Sequence, residues 1–270
     1  MRLTSMIDPT LRALALAAAL MLGGAGPAAA QAGPDIMQKQ RELQRARDEV
    51  ETSVMKIYSK AGEVKERRLV SYALTPRDEL TKTLLRFLAP RDVENTALLT
   101  WEGQDGHDDQ WLYLPATRRV KRIAASGKKN RFMGTDFSYE DLSPENLALH
   151  TYALLGSESV DGNDCYVVEA RPSSERQAVD SGYSRRKVWI RKDNYATVKQ
   201  EFYERKGRLE KVGISRDLVN VTGTLWRARE VEMRDVQAGT RTVMVVESRS
   251  LDTGLKASFF TEAELTRGGL

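Results

Sequence analysis

The chain has 270 residues, of which 41% are hydrophobic and 30% charged, so it can build a core and still keep a wet surface. A formal net charge of +4 is too mild to argue for nucleic acid, and the single cysteine, Cys165, excludes an internal disulfide. The two histidines, His107 and His150, lie far apart, and no H-E-x-x-H, G-x-S-x-G or phosphate-binding glycine loop is present, so neither catalysis nor a metal or cofactor finds positive support and a non-enzyme is expected.

The N-terminus reads as a secretory signal peptide over residues 1–30. Arg2 and Arg12 give a positive start, residues 13–25 are apolar and uncharged, and Ala28-Ala29-Ala30 fits the small-x-small cleavage rule. That run is shorter than the roughly 20 residues a spanning helix needs. Cleavage after Ala30 would start the mature chain at Gln31 in a bacterial periplasm, and the export signal disfavours nucleic acid as a partner. No cysteine stands just after the apolar run, so lipidation by that route is not expected. Residues 31–270 are expected to form a single domain.

A helix is predicted over residues 34–52, with Pro34 in its first turn and Ile36, Leu43, Ala46 and Val50 as a narrow apolar stripe. The pattern then turns to period two, at 83–87 and 97–101. It continues at 110–114, 118–123, 152–159, 163–171, 185–192, 195–204, 207–214, 225–236 and 240–251. Tight turns such as Asp161-Gly162, Lys206-Gly207 and Ala238-Gly239 punctuate these runs and predict an antiparallel meander. The runs Gln110–Leu114 and Lys187–Arg191 are apolar on both faces and need cover on both sides. A phase change from Trp226 and Ala228 to Val231 and Met233 predicts a bulge near Arg229-Glu230. Cys165 falls in a strand-like run and reads as a buried structural thiol.

Residues 124–150 break the alternation. Phe132, Met133, Phe137 and Tyr139 lie there among glycine and acidic residues, as in a loop that packs over or gates something, and Ser143-Pro144 predicts a short helix to about His150. The acidic loop Asp105-Gly106-His107-Asp108-Asp109 reads as a solvated turn, with a cation site as the alternative. Glu140 and Asp141 are neighbours on an extended chain and point apart, so they are not expected to act as a pair. Arg118, Arg119, Lys121 and Arg122, followed by Lys128, Lys129 and Arg131, read either as a protected sheet edge or as a contact for anionic headgroups or an acidic partner.

Three stretches carry a family resemblance: Asp109–Pro115, Arg118–Ile123 and Phe132–Asp141, supported by Val188–Asn194 and Phe260–Leu265. Together they resemble the LolA-like outer-membrane lipoprotein-sorting proteins, in the branch typified by a treponemal lipoprotein. The resemblance implies a mainly β (α+β) fold, a curved antiparallel sheet forming an incomplete barrel with helices covering a hydrophobic cavity. It implies a periplasmic carrier of lipid or lipoprotein acyl chains, with no cofactor, a peripheral membrane contact and an RND-type envelope transporter as partner. A non-ligand-binding adaptor or structural subunit of such a transporter is the alternative. The residues expected to meet lipid are Trp101, Trp111, Tyr113, Phe132, Met133, Phe137 and Tyr139, and those expected to meet headgroups or a partner are Arg118, Arg119, Lys121 and Arg122.

Overall fold

The structure is a computed structural model describing residues 27–76, 80–104, 107–144 and 146–267, so most of the expected signal peptide, residues 1–26, lies outside the described residues. A helix, α1 (Pro27–Leu43), leads into six strands: β1 (Asp48–Tyr58), β2 (Val64–Leu74), β3 (Lys82–Ala89), β4 (Ala97–Trp101), β5 (Asp109–Leu114) and β6 (Arg119–Arg122). A connector over residues 123–149 follows. Seven more strands complete the sheet: β7 (His150–Val160), β8 (Asn163–Pro172), β9 (Tyr183–Arg191), β10 (Thr197–Glu204), β11 (Leu209–Thr222), β12 (Leu225–Asp235) and β13 (Thr240–Leu251). Short helices α2 (Glu175–Asp180) and α3 (Glu262–Thr266) sit between β8 and β9 and at the C-terminus.

All thirteen strands belong to one curved antiparallel sheet in the order β6-β5-β4-β3-β2-β1-β13-β12-β11-β10-β9-β8-β7. The chain therefore starts mid-sheet, meanders to the β6 edge, crosses by the connector to the β7 edge, and meanders back. One non-local pairing, β1 on β13 with Met55 opposite Met244, joins the two halves. The sheet stays open at β6 and β7, the incomplete barrel that the resemblance implied.

Three layers cover the sheet. On the inner face of the first half the connector packs Phe132 and Tyr139 over Met55, Leu69, Phe87, Leu98 and Leu112. On the outer face of the same strands the C-terminal segment packs Phe260 and Leu265 over Leu84, Leu99, Trp111 and Tyr113. Double cover explains why β4 and β5 are apolar on both faces. In the second half α1 lays Ile36 and Met37 on Val168, Ala170, Val188 and Ile190.

Three local expectations are corrected. The first helix ends at Leu43, not 52, and starts early enough to put Pro34 in its interior rather than its first turn. Residues from Asp48 onward form β1 because β2 and β13 supply a hydrogen-bonding partner on each side. The alternation of β1 is hidden in the sequence because its inward positions begin Glu49, Glu51 and Ser53 before Met55 and Ile57. No bulge occurs at Arg229-Glu230, since β11 and β12 stay in register from Lys211↔Asp235 to Asn220↔Trp226. Arg227 faces inward to Glu49, in phase with Val231 and Met233, so the chemistry of the inner face changes there and not the register. Register shifts occur elsewhere in the sheet, among them Thr52/Ser53 between β1 and β13 and Leu154/Gly156 between β7 and β8. Finally, the helix expected from Ser143 is a single 3-10 turn, Leu147–Leu149, capped by the Asn146 side chain. The Ser143 hydroxyl instead accepts from Gln110 Nε2 at 3.3 Å.

Candidate functional site

The connector is pinned along its length. Arg67 Nη1 donates to the Met133 carbonyl at 2.7 Å, tying its tip to β2. Asp136, 1% exposed, accepts from Thr242 Oγ1 at 2.7 Å and from Arg131 at 3.1 Å, and Arg131 also pairs with Asp235. These bonds fasten the tip to β12 and β13. Further on, Glu140 accepts from Ser181 Oγ at 2.6 Å and from the Gly182 N–H at 2.9 Å. Asp141 accepts from Tyr183 Oη at 2.8 Å and Lys211 Nζ at 3.1 Å. The two adjacent carboxylates thus serve separate anchors.

Burial and charge act against each other at these anchors. Burial pushes the Glu140 carboxyl above the ordinary glutamate range, with the Ser181 and Gly182 hydrogen bonds pulling the other way. Burial also raises the Tyr183 hydroxyl well above its ordinary value, and the charge of Asp141 adds to that. Asp108, at the rim, is raised by burial and lowered by the nearby Lys128 charge. All three therefore favour their neutral forms relative to an exposed group.

Between the connector, α2 and the inner faces of β9–β12 lies a cavity of about 310 Å³. Phe137, Phe202, Ile214, Val231 and Met233 give it an apolar side, and Gln177, Thr197, Gln200 and Ser215 contribute neutral polar groups. Beneath α1 a second cavity of about 290 Å³ is walled by Leu218, Met244 and Val246 together with Glu51, Arg227 and Arg249. Arg249 and Arg227 both pair with Glu49, at 2.8 and 3.0 Å, so this charge is compensated. The two spaces share Thr197, Ser215 and Val231 in their walls and so adjoin along the inner-face trough of the curved sheet. Each space is at the lower end of the range for small-molecule sites. The lining is mixed, where the resemblance implied a hydrophobic one.

Of the seven side chains expected to meet lipid, Phe137 lines the larger cavity. Phe132 has no exposed surface, and Met133 and Tyr139 pack in the same core cluster. Trp111 and Tyr113 lie under the C-terminal segment, where Trp101 Nε1 donates to the Phe260 carbonyl at 2.9 Å. Phe202 and Met233, which the sequence did not mark as lipid contacts, line it beside Phe137. The apolar phase of β12 was the available signal for Met233.

The basic residues separate into two groups. Arg119, Lys121 and Arg122 are exposed on β6, a free edge of the sheet, with Arg118 in the turn before it and Arg122 paired to Asp109. Lys128 and Arg131 turn away from that edge, to the Asp108 carbonyl and to Asp136 and Asp235. In the acidic loop, Asp105 and Gly106 lie outside the described residues, while Asp108 Oδ1 accepts from the Gly103 N–H.

A family model described as an uncharacterized protein matches residues 79–267. Among solved structures, the chain is 34% identical to a domain from Vibrio parahaemolyticus named for outer-membrane lipoprotein sorting, with a TM-score of 0.83, covering 88% of this chain and 100% of that one. A DUF1329 family protein from Desulfovibrio piger is 29% identical, with a TM-score of 0.81 over 88% of this chain and 99% of its own. A LolA superfamily protein from Nitrosomonas europaea, 20% identical with a TM-score of 0.67, shares the fold over 87% of this chain and 99% of its own. No curated protein matches the chain.

Proposed function

The chain belongs to the LolA-like family of outer-membrane lipoprotein-sorting proteins, and from that premise we propose that it is a periplasmic carrier that holds lipid or lipoprotein acyl chains in the inner-face trough. The observation that carries this reading is the pair of adjoining cavities between the sheet, the connector and α1. Burying alkyl chain there would contribute roughly 0.8 kcal/mol per methylene, before ordering costs are subtracted. Phe137, with Phe202 and Met233, is the acyl contact, and the role is binding rather than catalysis.

Export with cleavage after Ala30 is part of the same proposal, with residues 31–270 as one domain. Pro34 supports it. In a helix that starts at Pro27 this residue is interior, where proline is costly. In a chain starting at Gln31 it falls in the first turn, whose N–H groups have no helical partner anyway. Arg118, Arg119, Lys121 and Arg122 would then meet anionic headgroups or an acidic partner, an RND-type envelope transporter among them, at about 1 kcal/mol per basic residue near an anionic surface.

A second reading, a ligand-free adaptor subunit, draws on the compensated ion pairs that line the space beneath α1. Native mass spectrometry of protein released gently from the envelope separates the two. The carrier reading expects a mass starting at Gln31 plus a co-purifying lipid. A fully apo species, with no uptake of an added fluorescent fatty acyl probe, would leave the adaptor.

A further inference from the structure

The sheet has two open edges, and they are not equivalent. Along the first half of β7 the helix α1 lies so close that a Cβ at Gly33 would stand 2.7 Å from the Tyr152 carbonyl oxygen. The second half of β7 is interrupted by the register shift at Leu154/Gly156, where Gly156 has a φ of 144°. Such an interruption blunts an edge against further pairing. Neither feature is found at β6. It pairs with β5 without a register shift, from Trp111↔Arg122 to Leu114↔Arg119, and among the described residues no backbone hydrogen bond reaches its outer side.

The layers on either side restrict how β6 can be approached. Arg119 and Lys121 stand opposite Leu114 and Leu112, on the face that the connector covers. Val120 and Arg122 stand opposite Tyr113 and Trp111, on the face that the C-terminal segment covers. The cations therefore point to both faces and share only the edge itself. A membrane surface would meet one face at a time, whereas a partner lying in the plane of the sheet meets them all. Arg122 pairs with Asp109, while Arg118, Arg119 and Lys121 make no ion pair with a described residue. Pairing with a second copy of β6 would set cations beside cations, which is destabilising, and an acidic strand carries the complementary charge.

We propose that the β6 edge is the docking site for an extended acidic segment of a partner protein, which adds to the sheet as a further strand. Main-chain hydrogen bonds supply affinity in this mode and alternating side chains supply specificity. In an antiparallel addition the segment places acidic side chains opposite Arg122, Lys121 and Arg119 and an apolar one opposite Val120, in the order Glu-Glu-Val-Glu. The inference rests on the reading of this edge as a partner contact and adds the chemistry of that partner, and it does not depend on the trough holding lipid.

Fluorescence anisotropy of the intact protein with a labelled peptide carrying Glu-Glu-Val-Glu at its centre tests this. Two further peptides carry N-methyl groups on alternate backbone amides, one on the odd set and one on the even set, so that charge is kept while the donors along one edge are removed. Only one set faces β6 in an added strand, so one methylated peptide should bind at least about tenfold more weakly and the other nearly as well as the parent. Arg119→Gln/Lys121→Gln should weaken the parent peptide by a similar factor with Tm unchanged, since both side chains are exposed. Equal affinities for all the peptides, or equal losses with both methylated sets, would show that no edge of the peptide is selected and would overturn the inference. Failure of the parent peptide to bind would do the same, and attachment to phosphatidylglycerol vesicles in that case would assign the edge to headgroups. None of these results bears on a co-purifying lipid, so the carrier reading stands or falls separately.

Discussion

Phe132→Ala distinguishes a core strap from a mobile lid. The Phe132 ring has no exposed surface, stacks on Phe87 at 5.7 Å between centroids and meets Tyr139 edge-on at 5.5 Å. Its other neighbours, Met55, Leu69, Leu98 and Leu112, sit on strands of the paired sheet and have little freedom to collapse into a void. Truncating a buried phenylalanine costs about 3–5 kcal/mol, and losing two favourable ring contacts places this site in the upper part of that range. Against a total stability of roughly 5–15 kcal/mol, a loss of about 4 kcal/mol is severe. In a chain of this size it should lower Tm by about 8–16 °C. Urea melts followed by tryptophan fluorescence and far-UV circular dichroism measure it, and the m-value should stay constant. A loss below about 1 kcal/mol at unchanged m would refute the reasoning, and would mean that the connector lifts away from the sheet.

Gly33→Ala should destabilise, although the same change in an exposed helix gains about 1 kcal/mol. A Cβ there would lie 2.7 Å from the Tyr152 carbonyl oxygen, so α1 must move off β7; a raised Tm would contradict this packing. Glu140→Gln should alter how stability depends on pH. Because burial raises the folded carboxyl, both states are protonated below the ordinary glutamate range, and wild-type stability is lost as pH rises through the folded value. Wild type minus variant, compared by chemical melts, should therefore decline with rising pH, and a flat or rising difference would count against it. Reversing Arg119 and Lys121 to Glu should weaken attachment to anionic vesicles in a salt-dependent way with Tm nearly unchanged, as both are exposed on the β6 edge. Salt-insensitive attachment in flotation assays would point to a different contact surface.

Much of the candidate site was hidden in the sequence for a definable reason. Period-two patterns reveal strands whose inner face is apolar, but the inner face of this sheet is partly ionic. Glu49 and Glu51 on β1 face Arg227 and Arg249, so the alternation there reads as charge and not as strand. Phe132 and Phe137 are five residues apart in one loop, yet one packs against Phe87 and the other lines the cavity with Phe202 and Met233. Nothing local to the loop distinguishes them, because the difference depends on which strand lies opposite.

The sequence by itself determined the local elements of the second half. Alternation and tight turns specify strands from β7 to β13, and Asp161-Gly162 shows why. Both residues adopt positive φ, 48° and 77°, the two-residue turn that joins Val160 to Asn163 in register. Such information lies within a few residues, where steric limits on φ and ψ act directly. Only the tertiary structure decided that β1 closes on β13, that the connector is strapped down by Arg67, Asp136, Glu140 and Asp141, and that two cavities meet at Thr197 and Ser215. Those features join residues as far apart as Glu51 and Arg249, and the loop-closure entropy they oppose is offset only when the whole sheet forms.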